Sequence, residues 1–480
     1  MHSSNAEDRP SSYALSGEME LEIGLKFMNQ ESAMLATKTI TSVGVQSISV
    51  ARVGRVSVRV LGVLQEGLAR EAEGNRKDLW TIVDLQMVSY YVRNTLDRDS
   101  VMFYQVFWLF PSCVQAFRHC KPLVLVDGTH LYGKYAGTLL MGIAQDGNNN
   151  ILPVAFALVE RENTDAWYFF LTNLRRHIAT RLGVLLISDK HAAIKAALER
   201  EGCGWEHNVY YVRHIASNFT TSFKSKEAKR HLVNVAYSKT QEQAQYYLEL
   251  VSSEDPVASP QMMGWIRGLE PPKWLQHLDE GRRYGHMMTN LSECINSVLK
   301  GTRNLPVCAI VKSTYHRLNE LFVVKGRQAQ AQIASGQVFS QFLQKAILAN
   351  REGIFQMLVT SYDRATTVFT VDDIAAVGAL HYPCAHALVA CAYARLEWQQ
   401  YVDLVYRVES MFRVYEMEFQ PMPDEEMWPP YEGACVHPNP LLRRTLEGRS
   451  VSTRIRNEMD EVEPGPGKRC GLCRQPGHTR

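Results

Sequence analysis

Continuous apolar runs mark the central part of the chain. They are PLVLVD at 122–127, GTLLMGIAQ at 137–145 and ILPVAFALVE at 151–160. A run of this length bounded by turn residues is typical of a buried strand. The polar segment DGNNN at 146–150 separates the second run from the third and is a strong turn signal. We therefore predict three strands in an antiparallel meander.

After the meander, segments with the apolar spacing of a helix alternate with further apolar runs. Apolar residues recur at helical spacing over 165–180, GVLLISD at 183–189 is strand-like, and 192–201 is predicted as a helix. Residues 209–212 are a candidate fifth strand, and a helix is expected to begin near Arg213. This order predicts an α/β fold: a mixed sheet with helices packed on its faces.

The two flanks of the chain have weaker patterns. Residues 1–19 are polar without periodicity, which predicts a disordered tail. A strand and an amphipathic helix are expected from Glu20 onward, whereas 40–100 gives only mixed signals. Residues 421–480 are rich in Pro, Gly and charged residues, which indicates a flexible tail.

Charge is unevenly distributed, although the 480 residues have a formal net charge of only +2. Residues 441–480 contain nine Lys or Arg and five acids, and residues 213–230 contain five and one. Such clusters are candidate nucleic-acid contacts, with ordinary solvated surface as the alternative.

The cysteine content and the hydropathy of the chain indicate where in the cell it is expected. Ten cysteines are too dilute for a disulfide scaffold, and no basic-then-apolar signal segment is found at the start, so we expect an intracellular, reducing location. No apolar run approaches the ~20 residues needed to cross a bilayer, so no membrane partner is expected.

Two acids, Asp127 and Asp189, end predicted strands. A buried ionised carboxylate is costly without a partner, and ligands gather at the carboxyl ends of parallel strands. Carboxylates suit Mg²⁺, and a two-metal site would support phosphodiester hydrolysis or transesterification. The alternative is that each Asp caps the loop or helix that follows it. The signatures of P-loop, serine-hydrolase and HExxH zinc enzymes are not found in the sequence.

Several long blocks resemble the transposase domain of plant Mutator-like elements, over about 101–320. The blocks are LVDGTHLYGKYAGTLLMGIAQDGNNNILPVAFALVERENTDAWYFFL, LLISDKHAAI, YVRHIASNF and MTNLSECINSVLKGTRNLPV. The resemblance implies an RNase H-like fold whose catalytic acids are Asp127, Asp189 and Glu293, holding Mg²⁺ or Mn²⁺. Glu160 and Glu162 are rival third acids that we rank below Glu293.

An inserted helical subdomain is expected between the second and third acids. The 103 residues between Asp189 and Glu293 exceed a single crossover, and 228–251 and 261–278 have helical patterns. The helix expected around Glu293 can be capped by Thr289 or Asn290, but the family pattern alone distinguishes this glutamate from a surface residue.

The sequence departs from the family pattern at two places where Cys or His residues are expected, and it matches the pattern at Trp167. Tyr211 stands where the family commonly has the Cys of a Cys-x-x-His pair that ends at His214. Neither Cys nor His occurs between positions 3 and 112, so the N-terminal DNA-binding finger is expected to be a remnant. Trp167 matches a family aromatic, although its helical spacing is equally typical of a core residue.

Two further zinc-like patterns are incomplete. Cys384-x-His386 resembles the second half of a SWIM zinc finger, but no Cys pair precedes it at the expected spacing. Cys470, Cys473 and His478 have the spacing of a CCHC zinc knuckle that ends before its fourth ligand, so a truncated knuckle is expected. Because structural zinc sites use four ligands, we expect at most weak Zn²⁺ binding at either place.

Five regions follow from these observations. They are a disordered tail (1–19), a remnant DNA-binding domain (20–100), an RNase H-like transposase domain (101–325, helical insertion about 222–285), a helical region with a degenerate SWIM-type finger (326–420) and a flexible basic tail with the truncated knuckle (421–480).

The function that the resemblance implies is a nuclear transposase. It would cleave and join double-stranded DNA at transposon ends, and homo-oligomerisation is left open. The alternative is a catalytically inactive or domesticated relative that binds DNA and regulates transcription. The intact acids favour the first, and the lost finger and Tyr211 favour the second. An RNase H-like exonuclease is disfavoured because Thr129 stands where a second acid is expected.

Overall fold

The computed structural model describes most of the chain between Thr81 and Arg443. The described residues are 81–133, 136–287, 302–303, 305, 307–352, 354, 358–363, 368–372, 380–419 and 433–443. All of them belong to the compact unit Val58–Arg480. The predictions for the N-terminal tail and remnant finger, for Glu293, and for Cys470, Cys473 and His478 concern residues outside this set.

Ten strands occur among the described residues. They are β1 (Thr81–Val92), β2 (Thr95–Leu109), β3 (Leu123–His130), β4 (Thr138–Gln145), β5 (Ile151–Val159), β6 (Leu185–Ser188), β7 (His207–Tyr210), β8 (Leu358–Asp363), β9 (Val368–Asp372) and β10 (Cys435–His437). Eight form one sheet in the order β1-β2-β5-β4-β3-β6-β7, with β10 paired to β2, and β8 and β9 form a separate hairpin.

Eleven α-helices accompany them in the same part of the chain. They are α1 (Pro111–Phe117), α2 (Thr164–His177), α3 (Ala192–Leu198), α4 (Val212–Phe223), α5 (Lys226–Tyr237), α6 (Gln241–Glu254), α7 (Ser259–Arg267), α8 (Val307–Ala334), α9 (Gln341–Glu352), α10 (Ala385–Ala394) and α11 (Val408–Tyr415). No described helix is both long enough and apolar enough to span a membrane.

The sheet is mixed, as its sequence pattern predicts. β3, β4 and β5 pair antiparallel, whereas β6 pairs parallel with β3 and β7 pairs parallel with β6. This order and these directions are compatible with an RNase H-like fold, so the prediction of an α/β fold with a mixed sheet is confirmed.

Helices cover both faces of the sheet, which explains the continuous apolar runs. Phe107 of β2 contacts Phe170 of α2, with 5.8 Å between the ring centroids. The indole of the next residue, Trp108, donates to the hydroxyl of Thr314 on α8 at 3.4 Å. Successive strand residues face opposite sides, so α2 and α8 pack on opposite faces. All residues of β4 are buried for this reason.

The helices α4 to α7 build a second hydrophobic core in the region predicted as an insertion. Phe219, Leu232, Val251 and Met262 are almost fully buried in it. The helical pattern over 228–251 is interrupted there, because α5 ends at Tyr237 and the side chain of Thr240 caps α6 by accepting from the backbone N–H of Gln243.

Candidate active site

Asp127 and Asp189 lie on neighbouring parallel strands at the carboxyl edge of the sheet. Leu123 pairs with Leu185 and Leu125 with Ile187. The same register, continued by two residues, brings Asp127 level with Asp189, which directly follows the end of β6. Adjacent strands lie about 4.8 Å apart, so the two carboxyl groups can approach one shared ligand.

The carboxyl group of Asp127 is partly buried and has few partners. Its Oδ1 accepts one hydrogen bond, from the backbone N–H of Gly128 at 2.8 Å. Burial raises the pKa of Asp127 to about 7, against the lowering effect of that hydrogen bond, and the nearby charges of Asp189 and Glu162 raise it further. Arg303 acts in the opposite direction. A cation bound here would relieve the same desolvation that the proton now relieves.

Asp189 holds the turn before α3 without capping that helix itself. Its Oδ1 accepts from the backbone N–H of His191 at 3.0 Å. The cap of α3 is His191, whose Nδ1 accepts from the backbone N–H of Ala193 at 3.3 Å. Asp189 therefore stabilises the turn through one carboxylate oxygen and does not cap the helix. No described residue donates a hydrogen bond to its other oxygen, Oδ2, which is available to a ligand.

Glu162 reaches the same edge from the loop between β5 and α2. The indole N–H of Trp167 donates to its Oε1 at 3.2 Å, although Trp167 is only 1% exposed and otherwise belongs to the core. A Cβ atom added to Gly128 would lie 3.4 Å from Oε2 of Glu162. Glu162 therefore lies within contact distance of the strand that carries Asp127.

Glu160, the other rival acid, has a different environment. Its Oε1 accepts from the side-chain amide of Asn439 at 2.8 Å. It lines a small polar cleft of about 180 Å³ together with Tyr104, Arg161 and Asn163. Its partner is therefore an amide of the segment 433–443, which lies within the C-terminal region 421–480.

His214 also lies beside Asp189. Its ring centroid is 5.6 Å from that of Tyr211, which is almost fully buried. Burial lowers the pKa of His214, and the negative charge of Asp189 partly opposes this. The phenol of Tyr211 replaces a thiol, the ligand type that zinc prefers, so the Cys-x-x-His pattern lacks its sulfur here.

Two of the three acids predicted to bind a metal lie together at this edge. Among the described residues, no group of three or more His, Cys, Asp or Glu side chains is arranged to hold a metal ion. Asp127 and Asp189 supply two carboxylates of the kind that Mg²⁺ binds, and Glu293 lies outside the described set. Cys384 and His386 are neighbours at the start of α10, with 4.0 Å between Sγ and Nδ1.

Comparison with known proteins agrees with this arrangement. Residues 123–218 match the family model of the MULE transposase domain. The match begins at β3 and ends within α4, so it includes both aspartates, Glu162 and His214. No curated protein was found that matches the chain. Residues 123–218 of the chain are therefore similar to a MULE transposase domain.

Proposed function

We propose that the chain is a DNA transposase of the Mutator-like type. It would cleave and join double-stranded DNA at transposon ends with a metal site formed by Asp127, Asp189 and Glu293, and it would act in the nucleus, where that DNA is found. The observation that carries the proposal is the shared register of Asp127 and Asp189 on adjacent parallel strands, inside the segment that matches the transposase domain.

The roles of the residues follow from their environments. The two aspartates would hold Mg²⁺ or Mn²⁺ through oxygens that have few protein partners. A divalent ion bound there would stabilise the attacking and leaving oxygens of an in-line displacement at phosphorus. Because the pKa of Asp127 is raised to about 7, its proton must leave as the ion binds, so ion affinity should increase as the pH rises through 7.

A cleavage assay tests the proposal. The full chain is incubated with duplex DNA bearing the terminal sequences that flank its own gene, with Mg²⁺, with Mn²⁺ or with EDTA. The variants are Asp127→Asn, Asp189→Asn and Glu293→Gln. The control is Asp165→Asn, which removes an exposed acid of α2 that pairs with Arg200 at 2.8 Å. Metal-dependent cleavage that only the first three variants abolish supports the proposal.

A second measurement reports ion binding without activity. Fe²⁺ substituted for Mg²⁺, with ascorbate and peroxide, cleaves the polypeptide near the bound ion. Cuts near residues 127, 189 and 293 support the proposed set, whereas cuts near 162 in place of 293 assign the third acid to Glu162. Cuts at none of these positions, together with DNA that stays intact in every condition, would overturn the transposase proposal in favour of a non-catalytic relative.

A further inference from the structure

A polar surface follows the second half of α4 and ends in two lysines, Lys224 just after α4 and Lys226 at the start of α5. We call it the α4 track and define it by Asn218, Thr221, Ser222, Lys224 and Lys226. All five side chains are exposed.

The position of α4 is fixed relative to the two aspartates. Tyr211, the residue before the helix, donates its backbone N–H to the carbonyl oxygen of Ser188 at 2.9 Å, next to Asp189. His214, in the first turn, is close enough to Asp189 for their charges to interact. The helix has 12 residues and is therefore about 18 Å long. The track occupies the half of α4 that is farther from the acids and ends just beyond the helix, at Lys226.

The charge of this surface is unusually one-sided. Helix α4 contains no acid, and Glu227, the one acid within 213–230, pairs with Arg230 at 2.9 Å. Neither Lys224 nor Lys226 forms a salt bridge within the part of the chain that the structure describes. A solvated helical surface usually mixes charges of both signs, so this one carries a net positive potential.

The opposite face of α4 holds the track rigid. Phe219 is completely buried in the second hydrophobic core, and its ring lies 5.5 Å from that of Trp265 on α7. The hydroxyls of Thr221 and Ser222 donate to backbone carbonyls one turn earlier, at 3.0 and 3.1 Å. The backbone of α4 that carries the first three track residues is therefore held in place relative to Asp127 and Asp189.

We infer that the α4 track binds the phosphate backbone of the DNA segment next to the bond that Asp127 and Asp189 would act on. Lys and Asn side chains are common donors to DNA phosphates, and such contacts position the duplex without reading its sequence. The inference rests on the proposed function for what happens to the bound DNA, but the binding itself can be measured separately.

The test compares salt dependence of binding, in EDTA so that no cleavage occurs. The full chain binds a fluorescent 30-base-pair duplex of arbitrary sequence over a series of salt concentrations. The variant is Lys224→Asn with Lys226→Gln; Asn suits the left-handed backbone of Lys224, whose φ is 54°. The control is Arg327→Gln with Lys345→Gln, which removes two exposed cations from α8 and α9.

Each lost phosphate contact should reduce the slope of log affinity against log salt by about 0.9, so the track variant should lose about 1 to 2 units of slope and bind about tenfold more weakly near 0.1 M salt. The control should keep the slope of the unmodified chain. Equal slopes for both double variants would overturn the inference. Track-dependent binding by a chain that never cleaves DNA would overturn the proposed function alone.

Discussion

The two edges of the central sheet both hold acids, but these acids differ in their hydrogen bonds. Asp146, in the turn between β4 and β5, is completely buried and accepts from four donors: the backbone N–H groups of Asn148 and Asn150, the side-chain amide of Asn150 and the hydroxyl of Tyr415. Asp127 lies at the other edge, which we call the open edge; it is more exposed and accepts from one donor among the residues that the structure describes. A satisfied acid stabilises a turn, whereas an unsatisfied one is available to a ligand.

The Asp146 edge is also closed by the C-terminal helical region. Lys121 is completely buried, and its Nζ donates to Oε1 of Gln145 at 2.9 Å and lies 5.6 Å from the ring centres of Phe342 and Tyr406. A Cβ atom on Gly147 would lie 1.8 Å from the carbonyl oxygen of Val405. Burial of charged groups is therefore greatest where the structure assigns them structural partners, and it does not by itself mark the active site.

The largest expected effect is the loss of DNA cleavage when Asp127 is replaced at the open edge. Asp127→Asn should reduce metal-dependent DNA cleavage at least ~100-fold, because bound metal contributes several kcal/mol to the transition state and each ~1.4 kcal/mol is tenfold in rate. Circular dichroism should show an unchanged fold. Cleavage by Asp127→Asn at the rate of the Asp165→Asn control would show that the carboxylate of Asp127 is not needed for cleavage.

At the closed edge we expect a loss of stability instead. Asp146→Ala leaves four donors, two of them side-chain groups, without their acceptor and should lower the free energy of unfolding by about 3 kcal/mol. Urea denaturation measures this, with Asp165→Ala as the exposed control. Tyr415→Phe removes one of the four bonds and should cost about 1 kcal/mol. A neutral Asp146→Ala would show that the turn does not depend on its acid.

Asp127 should have a smaller effect on stability than Asp146, and in the opposite direction: its ionised carboxyl group lowers the free energy of unfolding. Burial raises its pKa from the ordinary value of 3.8 to about 7 in the folded chain. Between these pH values the folded state binds more protons than the unfolded state, so the free energy of unfolding falls as pH rises. The penalty is complete above pH 7. Because the carboxyl group is partly exposed and solvent screens its charge, we expect the free energy of unfolding to fall by about 2 kcal/mol in total.

Asp127→Asn abolishes this titration. In EDTA, the variant should therefore gain about 2 kcal/mol over the unmodified chain at pH 8 and none at pH 3. Urea denaturation at a series of pH values measures the difference. A constant difference across the series would show that Asp127 is not desolvated.

Part of this arrangement could be predicted from the sequence. The strands β3 to β5 are buried on both faces and leave continuous apolar runs, and Asp127 and Asp189 stand where two such runs end. The hairpin of β1 and β2 gave no such signal, because the outer half of β2 is largely exposed. Its turn places Arg93 and Asn94 at φ values of 47° and 66° without a glycine.

The approach of Glu162 could not be predicted, because it depends on tertiary contacts. An indole N–H five residues later orients one carboxylate oxygen, and the other oxygen lies next to Gly128 on the strand of Asp127. Neither condition leaves a local pattern, since Trp167 has the spacing of any core aromatic. The sequence therefore ranks Glu160 and Glu162 together, and only the fold separates an acid next to Asp127 from one that binds Asn439.

The smallest expected effect tests that separation. The charge of Glu162 raises the pKa of Asp127, so Glu162→Gln should lower it, and the fall in stability with pH should end at a lower pH. We expect a change of a few tenths of a kcal/mol at pH 8, the size typical of a single charge in a solvated site. Glu160→Gln is the matched control, because that carboxylate faces Asn439. If the two variants have the same dependence of stability on pH, the charge of Glu162 does not act on Asp127. Of Asp127, Asp189 and Glu162, only the two aspartates would then belong to the candidate site.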